Sequence, residues 1–155
     1  MRAGIGFDIH RLVEGRKLIL GGVEVPYHKG LLGHSDGDVI IHAIIDAVLG
    51  AAALGDIGTH FPDTSDEFEG ISSIKLLRST IRMLEDKGLG VKNIDVTVIA
   101  EEPKLLPYIP DMREVLAKEL GIEKDRVSIK AKTSEGLGVI GERNAIACLA
   151  IALVS

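Results

Sequence analysis

The sequence predicts an α/β (α+β) sandwich, a mixed β-sheet with helices on one face, built as one domain from residues 1–155. Strand and helix patterns follow one another along the chain as β, ββ, α, α, β, α, β, β. The pattern over residues 38–54 is apolar almost all round, which predicts a buried helix. Residues 145–154 are apolar on both faces of a predicted strand, so helices or identical subunits must cover its second face.

Turn and cap residues divide the first half of the chain. Gly21-Gly22 lies between two short apolar runs, which is typical of a β-hairpin turn. Asp38 is a good N-cap for the buried helix, and Gly55 is a good stop. The polar stretch that follows is long, and loops of that length in a compact domain are usually functional. The predicted elements are a strand over residues 2–10, a hairpin of 17–20 and 23–25, a helix over 38–54 and a loop over 56–72.

Glycines and prolines mark the element ends in the second half. Gly88 and Gly121 end two further helices, and Pro103, Pro107 and Pro110 form a turn between them. Two segments alternate apolar with polar residues and are predicted to be strands. The predicted elements are a helix over residues 73–87, a strand over 94–100, a helix over 110–120, a strand over 127–132, a glycine-rich loop over 132–144 and the final strand over 145–154.

Composition excludes several classes of protein. A net charge of −5 lacks the basic excess of a general nucleic-acid binder, whereas a phosphorylated small substrate remains compatible because bound metal ions reverse the local field. The single cysteine, Cys148, gives no disulfide framework and suits a reducing compartment. No signal peptide is visible, and the longest apolar run is about half of what a membrane helix needs. We therefore expect a cytoplasmic protein without nucleic-acid or membrane partners.

Two short stretches offer metal ligands. Asp8 and His10 lie on the same face of the first predicted strand, although such a pair alone is more typical of an exposed strand end. His42 lies in the buried helix, where Asp38, His42 and Asp46 form one stripe at intervals of four residues. Asp46 or Asp38 can accept a proton from one ring nitrogen of His42 and leave the other for a metal. The alternative is a core histidine that Asp46 merely satisfies.

Taken together, Asp8, His10 and His42 provide two imidazoles and one carboxylate, a set that suits zinc. Three protein ligands leave one coordination position open, which is the pattern of a catalytic rather than a structural zinc site. A non-heme iron site uses the same ligands and is the main alternative metal.

Three loops carry groups that suit a phosphorylated ligand. Backbone N–H groups before the buried helix, together with His34 and Ser35, can hold an anion, and the alternative is an ordinary capping loop. Glu135 offers an oxygen ligand for magnesium, and Thr133 offers a hydroxyl for phosphate, although a lone Glu is usually solvated. Residues 100–106 can form a backbone-lined pocket for a flat ring, or a plain turn.

Six motifs extend this interpretation from the first strand to the last. The motifs are GFDIH at residues 6–10, GLLGHSDGD at 30–38, LGDIG at 54–58, FPDT at 61–64, PKLLP at 103–107 and KAKTSE at 130–135. They resemble the 2-C-methyl-D-erythritol 2,4-cyclodiphosphate synthase family of the non-mevalonate isoprenoid pathway, and so many blocks in order make the resemblance specific.

The resemblance implies a homotrimer with active sites between subunits. It implies conversion of 4-diphosphocytidyl-2-C-methyl-D-erythritol 2-phosphate into the cyclic diphosphate with release of CMP. Asp8, His10 and His42 would hold zinc, and Glu135 would help to hold magnesium or manganese at the diphosphate. Two catalytic residues are implied, His34 and Thr133, which would donate to the transition state.

The resemblance also implies which residues contact the substrate. Lys132 stands where the family commonly has Thr, and Val139 and Glu142 differ from the family at positions that line a central trimer cavity. The rival hypotheses are a zinc-dependent phosphoesterase, and a non-catalytic trimer that binds an isoprenoid or nucleotide. Besides the zinc ligands, the implied contacts are His34, Ser35, Phe61, Pro62, Asp63, Thr64 and Ser65 to the methylerythritol phosphate, Asp56, Ile57 and Gly58 to the ribose, and Ala100, Pro103, Lys104, Leu105, Leu106, Ala131, Lys132, Thr133, Ser134 and Glu135 to the cytidine diphosphate and its metal.

Overall fold

The structure is a computed structural model that describes residues 1–155. Seven strands and five helices follow one another, with three short 3-10 turns between them. In chain order the elements are β1 (Arg2–Glu14), β2 (Leu18–Leu20), β3 (Val23–Val25), β4 (Lys29–Leu31), α1 (Val39–Ala51), α2 (Ile57–His60), α3 (Ser73–Asp86), β5 (Val91–Ile99), α4 (Ile109–Leu120), β6 (Val127–Lys132), α5 (Gly138–Gly141) and β7 (Ala145–Val154).

Five strands form a mixed sheet in the order β4-β1-β7-β5-β6, and β2 pairs with β3 in a separate hairpin. Strands β1 and β5 both run antiparallel to β7, whereas β5 and β6 run parallel. The carboxyl ends of β1, β5 and β6 therefore lie at the same end of the sheet. The predicted mixed sheet with helices is confirmed.

Helix α1 packs directly on the sheet because two glycines of β1 let the backbones approach. A Cβ at Gly4 would lie 2.0 Å from the carbonyl oxygen of Ala47, so only glycine fits there. The helix is buried along almost its whole length, as its sequence predicts. One cluster of 36 buried residues, mainly aliphatic, fills the space between this face of the sheet and the helices.

The buried N-cap of α1 joins the helix to the hairpin. The Asp38 carboxylate accepts hydrogen bonds from the backbone N–H of Ile41, and from Gly21 and Gly22 in the hairpin turn, at 2.7 to 3.1 Å. Burial and the charge of Asp36 raise the pKa of Asp38 to about 6, although the three backbone donors act in the opposite direction.

The opposite face of the sheet has no helix on it. Ile5 and Phe7 of β1 are 69% and 53% exposed, and Ile151 of β7 is 48% exposed. Ile5 lies directly across from Ile151, and Phe7 across from Leu149, so the apolar side chains form one continuous patch. The second face of the final strand is therefore uncovered within one chain. No helix of the structure is both long and apolar enough to cross a membrane.

Several predicted bounds need correction. Strand β1 continues to Glu14 because its end pairs with β4, which the sequence analysis did not find. Helix α1 ends at Ala51 rather than at residue 54, because Ala53 takes a left-handed φ of 57°. The two predicted loops over residues 56–72 and 132–144 contain the short helices α2 and α5. The remaining predicted elements differ by at most three residues at an end.

Candidate active site

Strand β1 and helix α1 bring the three predicted metal ligands together. Asp8 Oδ2 lies 2.8 Å from His10 Nε2 and 3.1 Å from His42 Nδ1, and the two ring nitrogens are 3.2 Å apart. Asp8 and His10 alternate with Ile9 and so point from the same face of β1 toward α1. The predicted cluster is confirmed as a set of residues whose ligand atoms can hold one metal ion.

The donor set fits a tetrahedral metal. An ion with bonds of ~2.0–2.1 Å separates its ligand atoms by about 3.3 Å, which is close to the three distances found here. His10 Nδ1, on the far side of its ring, faces the backbone carbonyl of Leu32 and can donate to it. That hydrogen bond leaves the lone pair of His10 Nε2 directed at the cluster. Three protein ligands leave a fourth position for another group.

Charge within the cluster keeps Asp8 ionised. Burial alone would raise the pKa of Asp8, but the hydrogen bonds and positive charge that His10 and His42 supply when they are protonated outweigh it and lower that pKa to about 2. Burial disfavours a charged His10, whereas the Asp8 carboxylate raises the pKa of that imidazole above its usual range. The carboxylate is thus ionised at neutral pH, as a metal ligand must be.

The predicted partners of His42 are wrong. Asp38 bonds to the three backbone donors described above, and Asp46 accepts the backbone N–H of Ile57 at 2.7 Å. His42 Nε2 instead faces two hydroxyls, Ser73 Oγ at 2.9 Å and Ser35 Oγ at 3.1 Å. Burial and the nearby carboxylates raise the pKa of Asp46, which lines the same cavity without contacting His42.

A cavity of about 550 Å³ opens beside the cluster. Its wall includes most of the residues predicted to contact the methylerythritol phosphate, and Ile57 and Gly58 from the predicted ribose contacts. Phe68 and Leu76 line it as well, and the sequence analysis missed both because only the fold brings them here. The predicted contacts in this wall, besides the three ligands, are His34, Ser35, Ile57, Gly58, Phe61, Pro62, Asp63 and Thr64.

Two predicted substrate contacts, Ser65 and Asp56, do not line this cavity but hold in place residues or elements that do. The carbonyl of Ser65 lies 2.8 Å from His34 Nε2, so it fixes the ring that faces the cavity. Asp56 is the N-cap of α2 and accepts both the backbone N–H and the hydroxyl of Thr59. These hydrogen bonds lower the pKa of Asp56, an exposed side chain that does not line the cavity.

A second, smaller cavity of about 190 Å³ lies at the end of β5 and β6. It brings together the predicted cytidine diphosphate contacts from both strands, and Glu101, which lies in the predicted 100–106 stretch but was not singled out as a contact, also lines it. The predicted residues that line it are Ala100, Pro103, Lys104, Leu105, Leu106, Ala131, Lys132 and Thr133.

Glu101 also organises the loop that carries Glu135. Its carboxylate accepts the backbone N–H groups of Ser134 and Gly136 at 3.2 and 3.4 Å. Glu135 takes a left-handed φ of 54°, and its carboxylate accepts the Thr133 hydroxyl at 2.6 Å. The loop therefore offers one exposed carboxylate held beside a hydroxyl.

The two cavities belong to separate regions of one chain. Asp8 aligns with Cys148 on β7, then with Val98 on β5 and Ala131 on β6. Three strand spacings thus separate Asp8 from Ala131, which corresponds to roughly 14 Å across the sheet. No residue lines both cavities.

Comparison with known proteins links this arrangement to one family. A model of the YgbB family matches residues 1–155. A curated relative from Alkaliphilus metalliredigens, named 2-C-methyl-D-erythritol 2,4-cyclodiphosphate synthase, is 59% identical over 154 residues, 99% of this chain and 97% of the relative.

Two solved structures are similar to this chain in fold. The bifunctional IspDF from Campylobacter jejuni matches with a TM-score of 0.95 and 40% identity, over 99% of this chain and 42% of that chain. A CDP-bound 2C-methyl-D-erythritol-2,4-cyclodiphosphate synthase matches with a TM-score of 0.91 and 38% identity, over 99% and 100% of the two chains. Both share the fold of nearly all of this chain.

Proposed function

The chain belongs to the YgbB family, and from that premise we propose that it converts 4-diphosphocytidyl-2-C-methyl-D-erythritol 2-phosphate into 2-C-methyl-D-erythritol 2,4-cyclodiphosphate and CMP. This is a cyclising phosphorus–oxygen lyase reaction of isoprenoid precursor biosynthesis. The observation that carries the proposal is the Asp8–His10–His42 cluster beside the larger cavity, in a chain 59% identical to a synthase of that name. We expect it to act in the cytoplasm as a single domain.

Two metal sites support the chemistry. We assign zinc to Asp8, His10 and His42 because the donor set and the atom spacing suit it. We assign magnesium or manganese to Glu135, because magnesium commonly binds through one carboxylate together with substrate phosphates. When bound, these ions supply positive charge that polarises phosphate oxygens and stabilises the charge of the leaving group.

The nucleophile comes from the substrate. An oxygen of its 2-phosphate forms a bond to the β-phosphorus of the diphosphate, and the bond from that phosphorus to the CMP oxygen breaks. Cys148 cannot serve instead because it is buried, and burial raises the pKa of its thiol. Ser73 is also fully buried, so its hydroxyl cannot reach a substrate. The work of the protein is thus positioning and electrostatic stabilisation.

Side chains around the cavities perform that positioning. The Ser65 carbonyl accepts the Nε2–H of His34 and holds its ring, so His34 would donate to the phosphate in the larger cavity through its second ring nitrogen in the protonated form, together with Ser35. Thr133 donates to the diphosphate at the smaller cavity, where its hydroxyl already lies beside Glu135. The remaining predicted contacts keep the roles given above, with cytidine between residues 100–106 and 131–133 and the ribose at residues 56–58.

The working enzyme is a homotrimer with active sites between subunits. The apolar patch of Ile5, Phe7, Leu149 and Ile151 needs a cover, and a second copy of this sheet face is the simplest one. The two cavities are also separated within one chain, so one subunit would supply the metal cluster and its neighbour the cytidine pocket. Light scattering at micromolar concentration should give three times the 16.6 kDa mass of the chain.

The proposed activity is tested by turnover of the cytidine-linked substrate. Purified protein with zinc and magnesium should release CMP, and removal of both metals with a chelator should stop the release. Glu135→Gln should lower kcat more than it raises KM, because the second ion acts mainly on charge that develops in the transition state. A metal-loaded protein that releases no CMP would contradict the proposal and favour a non-catalytic binding protein. None of the similar proteins described above is named as a phosphoesterase or a binding module.

A further inference from the structure

We propose that Asp36 and Ser73 form a positioning relay that fixes the tautomer of His42, so that its Nδ1 lone pair faces the metal. Neither residue was singled out by the sequence analysis, and neither supplies a ligand atom to the metal cluster. The inference rests on the metal-binding part of the proposed function. It adds that the buried start of α3 controls how tightly the cluster holds its ion.

The relay is a continuous chain of hydrogen bonds behind His42. Ser73 Oγ lies 2.9 Å from His42 Nε2, and the same hydroxyl donates to Asp36 Oδ1. The other carboxylate oxygen of Asp36 accepts the backbone N–H of Ser73 at 3.0 Å. The backbone N–H of Asp38 donates to Asp36 at 3.1 Å and holds the carboxylate in place. Ser73 has no solvent exposure, so its hydroxyl bonds within the protein.

The carboxylate gives the chain a direction. A serine hydroxyl beside an imidazole can either donate or accept, and alone it would permit both tautomers of His42. The Ser73 hydroxyl donates to the Asp36 carboxylate, whose oxygens act as acceptors. The Ser73 oxygen is then left to accept from His42 Nε2–H. A proton on Nε2 means that Nδ1, which faces Asp8 and His10, carries the lone pair that a metal requires.

The two histidines of the cluster therefore differ in the groups that fix their tautomers. A backbone carbonyl, that of Leu32, fixes the tautomer of His10, and no side-chain substitution removes it. The tautomer of His42 depends on side chains that can be substituted one at a time. Ser35 Oγ lies 3.1 Å from the same nitrogen and accepts the Gly37 N–H, so it can assist but lacks a carboxylate of its own.

The experiment measures metal affinity rather than turnover. Ser73→Ala and wild-type protein are stripped of metal, and their affinities for zinc are compared by competition with a chromophoric chelator. Loss of such a supporting partner typically weakens metal binding roughly 10–100-fold, and we expect Ser73→Ala within that range. Asp36→Asn should also weaken zinc binding. The amide can donate as well as accept, so the Ser73 hydroxyl need not donate toward residue 36. Cobalt in place of zinc should give a visible absorption spectrum that differs between wild type and Ser73→Ala.

Thr80→Val is the matched control. Thr80 is another fully buried hydroxyl of α3, bonded to the Leu76 carbonyl and away from the cluster. It should retain wild-type zinc affinity and the wild-type cobalt spectrum. Equal zinc affinity in wild type and Ser73→Ala, or in wild type and Asp36→Asn if Ser73→Ala fails to fold, overturns the relay. Wild-type protein that binds no zinc would instead contradict the metal assignment itself.

Discussion

Gly6 and Ala43 lie so close that a Cβ on Gly6 would sit 1.9 Å from the Ala43 carbonyl oxygen. This contact holds β1 against the middle of α1. Asp8 follows Gly6 by two residues on the same face of β1, and His42 precedes Ala43 on α1. The absence of a side chain at Gly6 thus sets the distance between two proposed metal ligands, Asp8 and His42, that are 34 positions apart.

Gly6→Ala should separate β1 from α1 and weaken both folding and metal binding. Forcing a methyl group into packed backbone typically costs about 1–3 kcal/mol, and the displaced strand carries Asp8 away from His42. Chemical denaturation measures the first effect, and zinc competition the second. Gly50→Ala on α1 is the control, because nothing lies within 4 Å of the position that its Cβ would take. That variant should keep its zinc affinity, and equal zinc affinity in Gly6→Ala would contradict the account.

His42→Ala should remove most of the bound zinc while the protein keeps its fold. The change deletes one of three ligands, and a site with two ligands no longer encloses the ion. Elemental analysis of the purified variant gives the zinc content, and circular dichroism reports the fold. His28→Ala is the matched control because His28 is exposed and outside the cluster. A full complement of zinc in His42→Ala would refute the assignment.

Asp38 should make stability depend on pH in a definite direction. Its pKa of about 6 in the folded protein lies above the ordinary 3.8, so its contribution is fully present below pH 3.8 and is lost as pH rises through 6. A shift of this size corresponds to roughly 3 kcal/mol, to the order of magnitude. Asp38→Asn lacks this titration. The free energy of unfolding of wild type minus that of Asp38→Asn should therefore fall between pH 4 and pH 7, and a constant difference would contradict the prediction.

Ile151→Asp should disrupt the proposed homotrimer. Ile151 lies in the apolar patch opposite Ile5, and a carboxylate there would be buried without a partner if three copies assemble through this face. Light scattering should show a shift toward the monomer mass. Arg82→Asp, on the exposed side of α3, also adds negative charge and should leave assembly unchanged. A fully trimeric Ile151→Asp would show that another surface forms the trimer.

The sequence predicts those elements whose local pattern agrees with their environment in the fold. Strands β6 and β7 have the predicted bounds, because alternation over 127–132 and unbroken apolarity over 145–154 persist to their ends. The final residues of β1 and all of β4 were not predictable from local pattern, because their pairing joins Leu12 to Leu31. Only the tertiary structure reveals that partner.

The same distinction holds for the site. Asp8, His10 and His42 could be found because their residue types and their period on strand and helix both indicate a ligand set. The hydrogen-bond partner of His42 could not be predicted, because the helical stripe of Asp38 and Asp46 suggests a local acceptor. The actual neighbour of His42 Nε2, the Ser73 hydroxyl, is 31 positions away and reaches His42 only when α3 packs beside α1.

In the proposed reaction a phosphate of the substrate, rather than water, attacks the diphosphate. Turnover in water enriched with oxygen-18, followed by phosphorus NMR, tests this directly. We predict CMP and the cyclic diphosphate in equal amounts, with neither product carrying oxygen-18, because no solvent oxygen enters a phosphorus bond. Incorporation of one oxygen-18 atom into product per turnover, with a free methylerythritol phosphate in place of the cyclic compound, would contradict the account and identify a phosphoesterase.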